Sequence, residues 1–135
     1  MVTHPAFLLD SSACIPVLRN KAGLQKLPPP AKCGLPVIVA AELWTGVKKS
    51  LTTHPQQGEK LQAFLNLFTI IPFDIAAAHH YAEIRADLES SGKPIGPLDL
   101  LIAAQARSIG ATLVTGNAAE FRRVKGLKVQ EWHPA

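Results

Sequence analysis

Five short apolar runs are spaced along this chain, at residues 6–10, 35–39, 69–72, 111–115 and 127–131, with segments of helical periodicity between them. They read as continuous apolar runs, the pattern of strands covered on both faces, rather than as alternating ones. Strands that alternate with helices argue for an α/β fold, with a short, mostly parallel central sheet flanked by helices. No repeat and no composition break divides residues 1–135, so the chain reads as a single domain.

The connecting segments carry their own signals. Residues 11–18 form a helical turn that Ser11 or Ser12 can cap. Residues 20–35 hold Pro28, Pro29 and Pro30, which break regular structure and predict a loop. A helix is expected over 40–50, and another over 56–67, where Leu61, Phe64, Leu65 and Phe68 fall at helical spacing. Asp74 is placed to cap a long helix over 75–90, with Tyr81, Ile84 and Leu88 on one face. Pro97 suits a helix's first turn and Gly110 its end. Residues 117–121 read as a turn.

Hydrophobic residues make up 47% of the chain, enough for a real core and too many for global disorder. No apolar run approaches the roughly 18 residues that span a bilayer. The N-terminal residues lack a signal-peptide pattern, so the expectation is a cytoplasmic protein without a membrane partner. Cys14 and Cys33 have no zinc-type spacing and suit a reducing compartment. The net charge of +4 permits a polyanionic partner without requiring one.

Three acids interrupt the apolar segments: Asp10 after Phe-Leu-Leu, Glu42 within Val-Ala-Ala-Glu-Leu, and Asp99 within Pro-Leu-Asp-Leu-Leu-Ile-Ala-Ala. A carboxylate among buried aliphatic groups is costly unless its charge is compensated. In a parallel sheet, ligands bind beyond the carboxyl ends of the strands. Asp10 ends the first strand, Glu42 and Asp99 open helices, and Thr115 to Asn117 end the strand at 111–115. All four segments face the same sheet edge. Crowded carboxylates repel, and Mg²⁺ or Mn²⁺ relieves that repulsion. Such an ion also activates water and neutralises charge on a scissile phosphate. Asp99 alone has a simpler explanation, an acid favourable at a helix N-terminus. That explanation is weaker for Glu42, beside the stripe of Val39, Leu43 and Val47, and does not cover Asp10.

The ordered segments Leu-Leu-Asp-Ser-Ser at 8–12, Leu-Pro-Val-Ile-Val-Ala-Ala-Glu-Leu-Trp-Thr-Gly-Val at 35–47, Ile-Gly-Pro-Leu-Asp-Leu-Leu-Ile-Ala-Ala at 95–104, Thr-Leu-Val-Thr-Gly-Asn-Ala-Ala-Glu-Phe at 112–121 and Val-Lys-Gly-Leu-Lys-Val-Gln-Glu-Trp at 124–132 resemble the PIN-domain ribonucleases. The resemblance is to the VapC-type toxins of toxin–antitoxin pairs. It implies a PIN-like three-layer sandwich and a Mg²⁺- or Mn²⁺-dependent endoribonuclease. It also implies that Asp10, Glu42 and Asp99 hold the metal, and that Thr115 and Asn117 complete the site. Asn117 stands where some members carry Asp. Glu120 is either a fourth acid or a surface residue beside Phe121. The resemblance further implies an RNA substrate, a cognate antitoxin, and a homodimer or toxin–antitoxin hetero-oligomer. Asp-Ser-Ser at 10–12 departs from the commoner first motif but keeps hydroxyls beside the acid.

Lys48, Arg122 and Arg123 are the candidates for RNA backbone contacts, against the bland alternative of solvated surface. The histidines form no ligand set: His79 and His80 are adjacent and point about 100° apart on a helix. Gly-Lys-Pro-Ile-Gly at 92–96 lacks a phosphate-loop ending. Two other functions stay open at this level. A non-catalytic PIN-like module that binds RNA or protein would leave three costly acids unexplained. A phosphatase or phospho-acceptor domain built on Asp10 would leave Glu42 and Asp99 unexplained.

Overall fold

The computed structural model describes residues 4–50 and 53–134. Its sheet holds β1 (Phe7–Leu9), β2 (Cys33–Pro36), β3 (Thr69–Ile71), β4 (Thr112–Thr115) and β5 (Lys128–Glu131), in the order β3-β2-β1-β4-β5. Every pairing is parallel. The helices are α1 (Ser11–Leu18), α2 (Val37–Lys49), α3 (Gln57–Leu65), α4 (Ile75–Ser90), α5 (Pro97–Ile109) and α6 (Ala118–Phe121). The expected helix-flanked parallel sheet is the observed one.

The central strands are short and almost wholly buried. Leu8, Leu9, Leu35, Leu113 and Val114 have no exposed surface. Burying each such side chain is worth about 1.5–3 kcal/mol. Helix α5 covers them with Ile102, Ala103, Ala104 and Ala106, all fully buried. Gly110 ends α5 at φ 68°, a left-handed conformation that suits glycine. Asp74 caps α4 as expected, accepting the Ala77 N–H at 2.9 Å.

Three local expectations change. The second strand occupies Cys33–Pro36 and the helix after it begins at Val37, not at residue 40. Val37-Ile38-Val39 has strand propensity, but Pro36, the last residue of β2, has no N–H to give a ladder and stands as the N-cap of α2, at φ −56° and ψ 140°. Tertiary burial of Val39 then overrides its propensity. At α1 the cap is Asp10 itself, whose side chain accepts the Ala13 N–H, rather than Ser11 or Ser12. Residues 118–121 form a short helix instead of a turn. The remaining helix ends shift by a residue or two, as at Gln57–Leu65. The N-terminal reading falls partly on residues 1–3, which lie outside the described residues, as do residues 51–52 between α2 and α3.

The strand order creates the place where a site can form. Chain progression runs from β1 to β2 and β3 on one side and returns to β4 and β5 on the other. Such a reversal opens a crevice beyond the strands' carboxyl ends. Leu9 pairs with Val114, so Asp10 and Thr115 emerge side by side there.

Candidate active site

Asp10 sits at the floor of the crevice, 2% exposed. Both of its oxygens are fixed. Oδ1 accepts from Ser12 Oγ at 2.6 Å and from the Ala13 N–H at 3.2 Å. Oδ2 accepts from Thr115 Oγ1 at 2.6 Å. Each hydroxyl is itself oriented by a backbone donor. The Gly116 N–H bonds Ser12 Oγ at 2.8 Å, and the Asn117 N–H bonds Thr115 Oγ1 at 2.9 Å. The two N–H groups that follow β4 thus aim two hydroxyls at one carboxylate. Burial raises the Asp10 carboxyl above its ordinary value, and these hydrogen bonds pull against that rise.

Glu42 stands in the second turn of α2, one position from buried Leu43. Its Oε1 is buried and has no hydrogen-bond partner among the described residues. Desolvation is the main cause of its raised pKa. The Asp10 charge adds to it, and the Ser11 hydroxyl lowers it. Beside Glu42 opens a cavity of about 480 Å³, walled by Ile15, Leu18, Leu43, Val47 and Leu61.

Asp99 lies in the first turn of α5. Its carboxyl is pushed up to about 7, first by desolvation, then by Glu120, and further by Asp10 and Glu42. Glu120 therefore belongs to this cluster. It is half-buried, and its Oε1 accepts the Gly96 N–H at 2.9 Å. Asp99 Oδ2 and Glu120 Oε1 crowd the same face of Gly96, where an added Cβ would lie 3.3 and 3.8 Å from them. Glu120 thus stands beside Asp99.

The structure thus gathers Asp10, Glu42, Asp99, Glu120 and Thr115 at one edge. Asn117 contributes through its backbone N–H, while its side chain makes no cap bond to α6. Lys48 lies on the exposed side of α2, with its ammonium 5.7 Å from the Trp44 ring centroid. Arg122 is exposed after α6. Arg123 is also exposed, yet its guanidinium donates to the Pro94 carbonyl at 3.0 Å. Sequence reasoning missed that bond, and nothing in the spacing of Pro94 and Arg123 announces it. Both cysteines are buried and free, and burial raises each thiol, Cys33 to about 11. Neither has thiolate character for nucleophilic work.

Do these residues fit a divalent cation? As the side chains stand, no three His, Cys, Asp or Glu groups among the described residues converge on one point. The chemistry of the set nevertheless fits. The donors are all oxygens, the type that Mg²⁺ and Mn²⁺ take. Among the described residues, Glu42 offers a buried oxygen without a partner, and no basic side chain offsets the rise at Asp10, Glu42 or Asp99.

The PIN domain family matches residues 7–127, which takes in every one of these acids. The tRNA(fMet)-specific endonuclease VapC of Shigella flexneri is 35% identical over 131 residues, covering 93% of this chain and 97% of that protein. This chain belongs to the VapC family of PIN-domain ribonucleases. Two solved VapC-type relatives have the same fold over nearly their whole length. VapBC2 from Rickettsia felis, bound to a DNA fragment from its promoter, matches with a TM-score of 0.87 at 36% identity, covering 94% of this chain and 98% of that one. DNA-bound VapBC from Salmonella typhimurium matches with a TM-score of 0.89 at 31% identity, covering 96% and 100%. The family expected from the sequence is the family found.

Proposed function

We propose that this VapC-family protein is a divalent-metal-dependent endoribonuclease and the toxin of a toxin–antitoxin pair, with its working site at the Asp10–Glu42–Asp99 cluster. One observation carries the assignment of the site. Buried Asp10 stands at the carboxyl end of β1, its charge adds to the desolvation that raises both half-buried Glu42 and Asp99, and an oxygen of Glu42 without a partner among the described residues favours a cationic ligand. Asp10 and Asp99 would hold the ion, while Glu42 would hold it or orient water. When bound, Mg²⁺ or Mn²⁺ supplies an activated water and neutralises charge on the scissile phosphate.

The chain's own groups set the geometry. Ser12 and Thr115 fix the Asp10 carboxylate, so its position is settled before any ligand arrives. Asn117 acts through the hydroxyl of Thr115. Glu120 adds the fourth acid beside Asp99. Lys48 and Arg122 are placed on exposed surface where phosphates of a longer RNA can reach them. An antitoxin is the proposed protein partner, supported by the solved VapBC relatives. Homodimerisation and a cytoplasmic location are part of the same proposal. Among the described residues no helix is long and apolar enough to cross a membrane.

The test is cleavage of a pool of tRNA, rRNA and mRNA by the purified chain, with Mg²⁺ or Mn²⁺ and then with EDTA. Discrete fragments that require the ion are expected and would name the substrate class. Fragments that persist unchanged in EDTA would overturn metal dependence.

A further inference from the structure

Asp99 lies in the first turn of α5, and the segment that leads into that turn is poor in backbone donors. Neither Pro94 nor Pro97 has an N–H, so residues 94–97 possess two amide donors, at Ile95 and Gly96. The Gly96 amide is taken by Glu120 Oε1 at 2.9 Å. The Pro94 carbonyl is taken by Arg123 Nη1 at 3.0 Å. Both ties come from α6 and the residues just after it, and they straddle Ile95. Phe121 and Val124, between and beside the two tethering residues, are 0% and 3% exposed, so this anchor is fixed in the core.

We propose that Arg123 is a positioning residue: together with Glu120 it clamps the 94–97 segment and so sets where Asp99 stands in the site. The guanidinium is then occupied by a protein carbonyl, and its work is done without touching RNA. This differs from the role of phosphate contact, for which Lys48 and Arg122 remain. The inference rests on the nuclease reading for its catalytic consequence. Its structural half, the clamp itself, stands independently.

The experiment compares wild type, Arg123→Ala, Arg123→Gln and Arg123→Lys. Amide exchange at Gly96 is measured first, by NMR on metal-free protein without RNA. The clamp predicts that exchange at Gly96 speeds up roughly fivefold in Arg123→Ala, the loss of about one ordinary hydrogen bond, while amides of β1 and β4 hold their rates. Cleavage is then measured under saturating RNA. The prediction is a roughly 10- to 100-fold fall in kcat with KM little changed, because misplacing one acid disturbs the reacting geometry. Arg123→Lys, which can still donate to one carbonyl, restores much of the rate. RNA binding, measured on Asp10→Asn protein with and without Arg123→Ala, keeps its salt dependence.

A salt slope that falls by about 0.7–1 with kcat and Gly96 exchange unchanged would make Arg123 a phosphate contact and overturn the proposal. Exchange that rises equally across the sheet would mark a general fold defect and overturn it as well. Should Arg123→Ala fail to fold, Arg123→Gln supplies the same comparisons with most of the side chain's length kept. A wild-type chain that cleaves no RNA under any ion overturns the nuclease reading alone, since Gly96 exchange still judges the clamp.

Discussion

Thr115 Oγ1 donates to Asp10 Oδ2 at 2.6 Å, tying the carboxyl ends of β4 and β1 across 105 residues of sequence. Thr115 is fully buried, and its hydroxyl also accepts the Asn117 N–H. Thr115→Val keeps the volume and removes both bonds. It should destabilise the protein by about 1–3 kcal/mol, the cost of leaving buried polar groups unpaired, while Thr115→Ser stays near wild type. Urea unfolding of the three proteins checks this. A Val variant as stable as wild type would mean that the hydroxyl does not hold Asp10.

Asp99 makes the metal-free protein sensitive to pH. Its carboxyl rises from 3.8 to about 7 on folding, so between those values the native state holds a proton that the unfolded chain has released. Stability must therefore fall as pH rises through this window, the reverse of the usual salt-bridged carboxylate. The raised values of Asp10 and Glu42 act in the same direction. Unfolding midpoints in EDTA from pH 4.5 to 8 should decline in wild type and decline less in Asp99→Asn. A midpoint that rises with pH in this range contradicts the electrostatic account.

Glu120 is the neighbour that most raises Asp99 after burial itself. Glu120→Gln retains an oxygen for the Gly96 N–H and removes the like charge. The Asp99 carboxyl should then titrate at lower pH, and the metal-free protein should gain stability at pH 8. Glu120→Ala also loses the Gly96 tie and should gain less. Carbon-detected NMR titration of Asp99 in both variants reads the difference.

Lys48 and Arg122 are exposed and hold no salt bridge among the described residues. If each meets one RNA phosphate, Lys48→Ala and Arg122→Ala should each lower the salt slope of RNA binding by about 0.7 and weaken all RNA sequences alike. Filter binding on Asp10→Asn protein at several salt concentrations measures this. Unchanged slopes would place the RNA path elsewhere.

How much of this was legible in the sequence depended on the kind of signal. The alternation of apolar runs and helical segments identified the parallel sheet, and parallel topology alone was enough to bring Asp10, Glu42, Asp99 and Thr115 to one edge. Asp74 and Gly110 marked helix ends because cap chemistry is local. The start of α2 was misplaced because Val37, Ile38 and Val39 have strand propensity, and only their packing decides otherwise. Asp10 reads in the sequence as a candidate site acid but not as the cap of α1, which the structure shows it to be. The bonds from Glu120 to Gly96 and from Arg123 to Pro94 join residues 24 and 29 positions apart. Their partners are backbone atoms, which leave no trace in residue identity.

Cleavage by Asp99→Asn beside wild type, on the RNA that wild type cuts and with the same Mn²⁺ concentration, tests the central claim most directly. Asn keeps the shape of the side chain and removes the charge that the ion needs. The account predicts a loss of about 100-fold or more, the scale of several kcal/mol of charge stabilisation, in a variant that folds at least as stably as wild type at pH 8 in EDTA. Full metal-dependent cleavage by Asp99→Asn would contradict it and move the active site away from this acidic cluster.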